Sequence, residues 1–444
     1  MAPILGGESD LLNLVARGAG LVIGIQIASF AIRYVSQLGL AWWMGASNYG
    51  AFVYAMSIGT ILAIPAALGL PTVVLRFIPQ YRENRQWSLL RGIVLRSWSL
   101  VLGTGLGLAA IAAGVLWLLA TFGQVEHTTA LLLGIGLVPL LALMSLQLQI
   151  ARSTEQMVLA YAPSYLLRHA LLLGGVGLAY VLNGDDVSSV TALAITGAAL
   201  TTILFSQAAV WLCGVPEHVH NAVATYKTKK WLRVAWPLLL VASFNILLDQ
   251  TDVFLLGVLR PPEEAGVYNI ALKTSVLVTF VLTGVNAIAA PRISKLYDKG
   301  EIEKLQRLVS MVAHLSFWPS VLGSVVLIAI AEPFLSLFGD EFVTAKDAMI
   351  ILILGRLTNA GAGAVGYLMN LTGHQKESSR VFAWSAIVNI VLNLGFIPLF
   401  GIEGAAIASA TTMMLWNVWL HVLVSKRVGV TSSVIGLFLR SKSP

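Results

Sequence analysis

Charge is scarce in this sequence. Lys, Arg, Asp and Glu make up 11% of its 444 residues, against about 25% in a soluble domain, which excludes an ordinary water-exposed globular surface. Cysteine is scarcer still. Cys213 stands alone, so no intrachain disulfide and no cysteine metal cluster can form. Ten-residue segments of alternating polarity, the mark of a membrane β-barrel, are missing. Paired carboxylates, a nucleophile triad, a metal-ligand set and a nucleotide-phosphate loop are missing too, which argues against an enzyme and against ATP use. Hydrophobic residues, by contrast, reach 57% and the mean hydropathy is +0.83. Apolar runs of about 20 residues recur along the whole length. The chain reads as an all-α polytopic membrane protein.

The runs predict twelve spans, at about 18–43, 50–72, 97–120, 131–150, 165–182, 190–213, 234–257, 268–290, 308–330, 347–370, 381–399 and 404–424. The connections alternate in charge. One set carries Arg76, Arg82, Arg85 and Arg91; Arg152; Lys227, Lys229, Lys230 and Arg233; Arg292, Lys295, Lys299, Lys304 and Arg307; Lys376 and Arg380; and the tail Lys426, Arg427, Arg440 and Lys442. The other set holds Glu126, Asp185, Asp186, Glu263, Glu264, Asp340 and Glu341, with only Arg260 and Lys346 among them. Basic loops face the cytoplasm, so both termini are expected there. The net charge of +7 is then topology rather than a nucleic-acid surface. Trp42, Trp43 and Trp117 fall at outer ends, and Trp211, Trp231, Trp236, Trp416 and Trp419 at inner ends, as an interfacial belt requires; Trp318 lies deeper. The opening MAPILGGESDLLNLVARGAG has acids where a signal peptide needs positive charge, and the first span is expected to be retained.

A shift of 216 residues superposes the sequence on itself. SNYGAFVYA at 47–55 lies over EEAGVYNIA at 263–271, and RFIPQYRENRQWSLLR at 76–91 over RISKLYDKGEIEKLQR at 292–307. Each copy would hold six spans, so the copies share one orientation and are related by an axis along the membrane normal. The expected organisation is a six-helix lobe at 1–216, a cytoplasmic linker at 217–232 and a second six-helix lobe at 233–444. The offset also sets Arg33 over Asp249.

Polar residues line single faces of several spans. Span 1 has Gln26, Ser29, Arg33 and Gln37; span 7 has Asn245, Asp249 and Asp252. Span 10 has Arg356, Asn359, Gly363, Gly366 and Asn370; span 11 has Ser385, Asn389 and Asn393. Asn269 and Lys273 lie near the outer end of span 8. A charge at mid-span costs ~2.5–3.5 kcal/mol and faces a cavity or a partner. Arg33, Lys273 and Arg356 exceed Asp249 and Asp252 by one positive charge, so an anionic, phosphorylated ligand fits better than a cation, and an arginine fork suits phosphate oxygens. The candidate binding residues are Arg33, Lys273, Arg356, Gln37, Asn245 and Asn359. Asp249 and Asp252 are expected to pair with the arginines or to couple transport to an ion. An Arg33 that only locks the helices through such a pair, a Lys273 that only reaches for the interface, and an Asn389 and Asn393 that only glue helices are the plainer readings of the same residues.

Three local matches carry nothing. GAGAVG at 361–366 lies inside span 10, where small residues pack helices. EHVH at 217–220 has no further metal ligands nearby, and the sequon at Asn370 falls at a cytoplasmic end.

In order along the chain, MGASNYGAFVYAMS, ALGLPTVVLRFIPQYRE, DVFLLGVLRPPEEAGVYNIA, APRISKLYDKGE and NIVLNLGFIPLFGIEGAAIASA resemble the polysaccharide-transport branch of the multidrug/oligosaccharidyl-lipid/polysaccharide flippase superfamily. The resemblance implies movement of an undecaprenyl-pyrophosphate-linked oligosaccharide, an O-antigen, capsule or exopolysaccharide repeat unit, across a bacterial cytoplasmic membrane. It implies a cationic central cavity, alternating access and no cofactor. The coupling ion, proton or sodium, stays open. Partners would be the lipid-linked glycan and membrane lipids, with a polysaccharide polymerase and other assembly proteins as further candidates. Drug or organic-cation antiport and lipid II transport remain alternatives within the superfamily. A membrane glycan polymerase or ligase is the alternative outside it, though the outer loops are too short for a separate folded unit.

Overall fold

The computed structural model describes residues 8–123, 126–184, 186–214 and 217–432. Asp185, Arg440 and Lys442 lie outside the described residues, as do the side chains of Gln26 and Asn245. Two compact units emerge: one holds the residues up to Met44 and Ala55–Ala242, the other Gly45–Tyr54 and the residues from Ser243 onward.

The first unit opens with α1 (Glu8–Ala66), a run of 59 residues. A straight helix of that length would extend about 88 Å, three times the hydrocarbon core. Gly45, at φ 67 and ψ 168, breaks it into two helices; its positive φ suits a residue without Cβ. A turn through Leu68 and Gly69, both at positive φ, leads to α2 (Leu70–Glu83) with Pro71 in its first turn. Leu70, Val73, Val74, Phe77, Ile78 and Tyr81 bury one stripe of α2 at three- and four-residue spacing. They pack on α3 (Trp87–Thr121) and on α5 (Val138–Ser153), which follows directly on α4 (Thr128–Gly136), around Ile93, Val138 and Leu146. Next come α6 (Met157–Ala162), a π-helical turn at Pro163–Leu167, and α7 (Arg168–Asn183). Then follow α8 (Ser189–Gly214), α9 (Glu217–His220) and α10 (Thr228–Leu259), which carries Trp231 into the same core. The stretch before α10 is strapped to α3. Arg91 Nη1 donates to the carbonyls of His220 and, at 2.8 Å, Ala222, and Thr225 N–H donates to Ser88 O at 3.0 Å.

The second unit begins with Gly45–Tyr54. Ala46 N–H, the first donor after the break, is capped by Glu341 Oε2 at 2.8 Å. The unit continues through the part of α10 from Ser243 onward, α11 (Pro262–Ser275), a 3₁₀ turn at Val276–Thr279, α12 (Phe280–Asp298), α13 (Ile302–Ala329) and α14 (Ala331–Leu335). It ends with α15 (Lys346–Ala362), α16 (Val365–Leu371) and α17 (Gln375–Arg427). Asn269 Nδ2 donates to Tyr49 Oη at 2.8 Å. Gly50 and Gly266, paired by the 216-residue offset, touch: a Cβ on Gly266 would lie 2.7 Å from Gly50 Cα. The 53 residues of α17 turn back at Gly401, at φ 56 and ψ −129. The two halves press so closely that a Cβ on Gly404 would meet Phe396 O at 2.2 Å.

One expectation changes. GAGAVG is not a continuous packing stripe, because Gly363, at φ 70 and ψ −138, ends α15 and bends the span by 46°. Among the described residues, eight helical runs are long and apolar enough to cross a membrane, or nine with that bent pair; two of the runs, α1 and α17, are each broken in two, at Gly45 and Gly401.

Thr431 and Ser432, beyond α17, fold back on α13 and α15. Gln306 Nε2 donates to Thr431 O at 2.9 Å, and Thr431 N–H donates to Gln306 Oε1 at 2.7 Å. Ser432 Oγ donates to Ala362 O at the bend, at 2.8 Å. Gln306→Ala removes both amide bonds, worth ~1–3 kcal/mol together. Amide exchange at Val430–Ser432 should then accelerate on the order of tenfold while α13 itself keeps its protection.

Candidate functional site

The sequence-predicted site residues fall into two groups. Arg33 and Gln37 belong to the first unit; Asp249, Asp252, Lys273, Arg356 and Asn359 belong to the second.

In the second unit a carboxylate is buried among neutral donors. Asp252, on α10, is 2% exposed. Its Oδ2 accepts Tyr268 Oη–H at 2.7 Å and the hydroxyl of Ser409. Its Oδ1 accepts Asn393 Nδ2 at 2.8 Å and Asn389 Nδ2 at 3.4 Å. Local sequence explains how these groups converge. Asn389 and Asn393 are four apart on one face of α17. Ser409 lies eight residues after Gly401 and Asn393 eight before it, so the turn sets them at equal depth on facing helices. Tyr268 enters from α11, whose Ala265–Ser275 stretch is almost wholly buried except for Lys273. Both carboxylate oxygens are thereby occupied by neutral groups, so Asp252 does not hold an arginine as the sequence suggested. The amide oxygens of Asn389 and Asn393 are buried with no hydrogen-bond partner.

Arg356 stands beside this cage. Gly355 brings α15 against α17, with its Cβ direction 2.9 Å from Ala410 Cα, next to Ser409. The Arg356 Nε is buried and has no hydrogen-bond partner, and Asp249, Tyr268 and Asp252 are all within its electrostatic reach. Asp249, three residues from Asp252, is exposed. Asn359 and Lys273 are half-buried, and Lys273 is engaged with a neighbour.

Among the described residues, none of the ion pairs seen falls in the first unit. Arg33 is exposed on α1, its guanidinium 5.6 Å from the centroid of the Phe30 ring. One turn on, Ser36 Oγ donates to Ile32 O at 2.7 Å and to His169 O at 3.2 Å, which ties α1 to the start of α7. The π-helical turn just before α7 shifts the register of that segment, a distortion common at functional sites. Arg168 follows it, with its Nε buried and without a hydrogen-bond partner. Arg33 and Arg168 both lie within electrostatic reach of His169. Gln37 is half-buried one turn beyond Arg33.

Arg168 was not among the predicted residues, and neither were Tyr268 and Ser409. A span read from residue 165 puts Arg168 at its edge. The helical run in fact starts at Met157, which sets Arg168 about 16 Å along it. Its spacing to Tyr161 and Tyr165, seven and three residues, was the available signal.

Comparison with known proteins bears on both units. The sequence model of a family described as "Polysaccharide biosynthesis protein" matches residues 15–297, and that of the MatE family matches residues 237–394. A protein of Haloferax volcanii named "Probable flippase AglR" is 27% identical over 261 residues, covering 57% of this chain and 51% of its own length. The chain thus spans about half the length of that curated relative. Among solved structures, the inward-facing conformation of a multidrug resistance MATE family transporter superposes with a TM-score of 0.73 at 13% identity, covering 96% of this chain and all of that one. The lipid II flippase MurJ in an inward closed conformation gives 0.71 at 14% identity, covering 91% of this chain and 87% of that one. At such identities the likeness is one of fold.

Proposed function

Since the chain belongs to the polysaccharide biosynthesis protein family, within the multidrug/oligosaccharidyl-lipid/polysaccharide flippase superfamily, we propose that it moves a lipid-linked glycan across a membrane. The substrate is an undecaprenyl-diphosphate-linked oligosaccharide carried from the cytoplasmic to the outer leaflet, and transport rather than chemistry is the activity. Twelve spans in two parallel six-helix lobes, with both termini cytoplasmic, provide the frame. The contact between the offset-paired Gly50 and Gly266 supports that symmetry. The name of the archaeal relative supports the activity.

One observation carries the reading: Arg33 and Arg168 both act on His169, where Ser36 ties α1 to α7, the Arg168 Nε is buried without a hydrogen-bond partner, and neither arginine is in an ion pair among the described residues. Such bases call for an external anion, and guanidinium forks match a diphosphate. In the second unit Arg356 and Lys273 offer further cationic contacts, and Asn359 there and Gln37 in the first unit are further candidates to replace the water that glycan hydroxyls lose. Asp252 is the coupling group. A carboxylate held by four neutral donors can take up a proton or a sodium ion without breaking an ion pair. Asp249, exposed beside Arg356, tunes the charge that Arg356 presents. A membrane potential negative inside favours outward movement of the diphosphate by ~2.3 kcal/mol per charge per 100 mV.

Complementation in a strain lacking its own transporter tests this. Charge-assisted contacts to phosphate are worth ~1.5–3 kcal/mol each, so Arg33→Ala and Arg168→Ala should each lower surface glycan on the order of tenfold or more at equal protein in the membrane. Arg33→Lys should recover only part, since it lacks the fork. Undiminished export by the double alanine variant would reject the cationic-site reading. Uptake of cationic dyes by the wild-type chain would favour the antiporter instead.

A further inference from the structure

At the basic end of the first unit, away from Arg33 and Arg168, two cations share one aromatic ring. The Arg76 guanidinium carbon is 5.7 Å from the centroid of Phe77, and Lys230 Nζ is 5.6 Å from the same centroid. No other ring among the described residues has two cations over it. The ring is a fixed platform. Phe77 is 5% exposed and stacks on Tyr81 at 5.6 Å; Tyr81 Oη accepts Trp231 Nε1–H at 3.0 Å; Trp231 is 1% exposed. Arg76 lies on α2 and Lys230 on α10, so this aromatic column holds together two charges from separate elements.

Among the described residues neither is in an ion pair. Both side chains are exposed. The four ion pairs among the described residues are Arg260–Glu264, Lys304–Glu301, Lys346–Glu332 and Arg427–Glu377, all in the second unit. A ring face attracts a cation, and two exposed cations at one ring concentrate positive charge that a bound anion would offset. The depth of the pair identifies the anion's source. Trp236 is six residues along α10 from Lys230, about 9 Å, and is 65% exposed. An outward-facing tryptophan marks the boundary between headgroups and acyl chains, which puts the level of Arg76 and Lys230 at that of lipid phosphates.

We propose that Arg76 and Lys230 form a binding site for the headgroup phosphate of an anionic phospholipid, clamped over Phe77. The site bridges α2 and the start of α10, so an occupied site braces the strap between α9 and α10 against the helices of the first unit.

The test uses the purified full-length chain in neutral detergent, with retained lipid read by native mass spectrometry against equal phosphatidylglycerol and phosphatidylcholine. The wild type should retain phosphatidylglycerol in preference. R76Q/K230Q should retain about tenfold less of it, given the contribution of each surface base, while R76K/K230R keeps it and K299Q, exposed elsewhere, changes nothing. Thermal melting of each variant verifies folding, and K230Q alone, expected to lose about threefold or more, serves if the double variant does not fold. Inorganic phosphate at the same concentration should leave the melting temperature unmoved, whereas phosphatidylglycerol raises it in the wild type only. Equal retention by wild type and R76Q/K230Q overturns the site, and equal stabilisation by inorganic phosphate overturns the lipid as its source.

Discussion

Export should fall to background in Asp252→Ala, the largest loss expected from any single change in the second unit. The substitution removes the acceptor for Tyr268, Asn393 and Ser409, and each stranded donor costs ~1–3 kcal/mol where water is excluded. The cage would then be short by ~3 kcal/mol or more, so the melting temperature of the purified protein should drop along with function. Asp252→Asn separates the two effects. It keeps the shape and one oxygen but cannot ionise, and its amide group faces hydroxyls that can turn to accept. Folding should survive better in Asp252→Asn than in Asp252→Ala, with export still lost. Ser409→Ala removes one donor and leaves the carboxylate; it should lose about 1 kcal/mol of stability and keep most of its transport. If Asp252→Asn supports full export across the pH range, Asp252 is a structural anchor and coupling lies elsewhere.

Gly50→Val is expected to be the most disruptive small-to-large change. A Cβ at Gly50 would lie 2.1 Å from Pro262 O and 2.6 Å from its carbonyl carbon. Those are backbone atoms at the start of α11 and cannot rotate aside. Overpacking costs ~1–3 kcal/mol when side chains can yield and more when they cannot, so a loss above ~3 kcal/mol is the expectation here. Separation of the two segments would also strain Asn269–Tyr49 and the Glu341 cap on Ala46, and the melting temperature and yield of folded protein should both fall. Gly103→Ala is the matched control, because its Cβ would meet nothing within 4 Å; it should stay within ~0.5 kcal/mol of wild type. Equal stability of Gly50→Val and Gly103→Ala would mean that the crossing of Gly50 and Gly266 is loose.

The membrane class, the run of apolar spans and the superfamily were legible in the sequence because they rest on local quantities: hydropathy, length and motif order. So were single polar faces, since helical periodicity places Asn389 with Asn393 and Asp249 near Asp252 on the helix surface. What those faces meet was decided by tertiary packing. Asp252 turned toward Tyr268 and Ser409 rather than toward an arginine because Gly401 folds α17 into a hairpin and Gly355 lets α15 approach. A tyrosine or serine in a span carries no sequence mark of such a role, being common as packing or as a hydroxyl bonded to its own helix. Arg168 escaped because hydropathy locates where a span is apolar, not where its helix begins. The exchange of Gly45–Tyr54 into the second unit has no signature in periodicity either. It follows from a glycine break, a carboxylate cap supplied by Glu341, and two glycines whose missing side chains let backbones touch. Sequence by itself set how far each segment can bury itself in lipid; only the folded chain decided which polar groups it must satisfy there, because a buried donor takes whatever acceptor packing brings within about 3 Å.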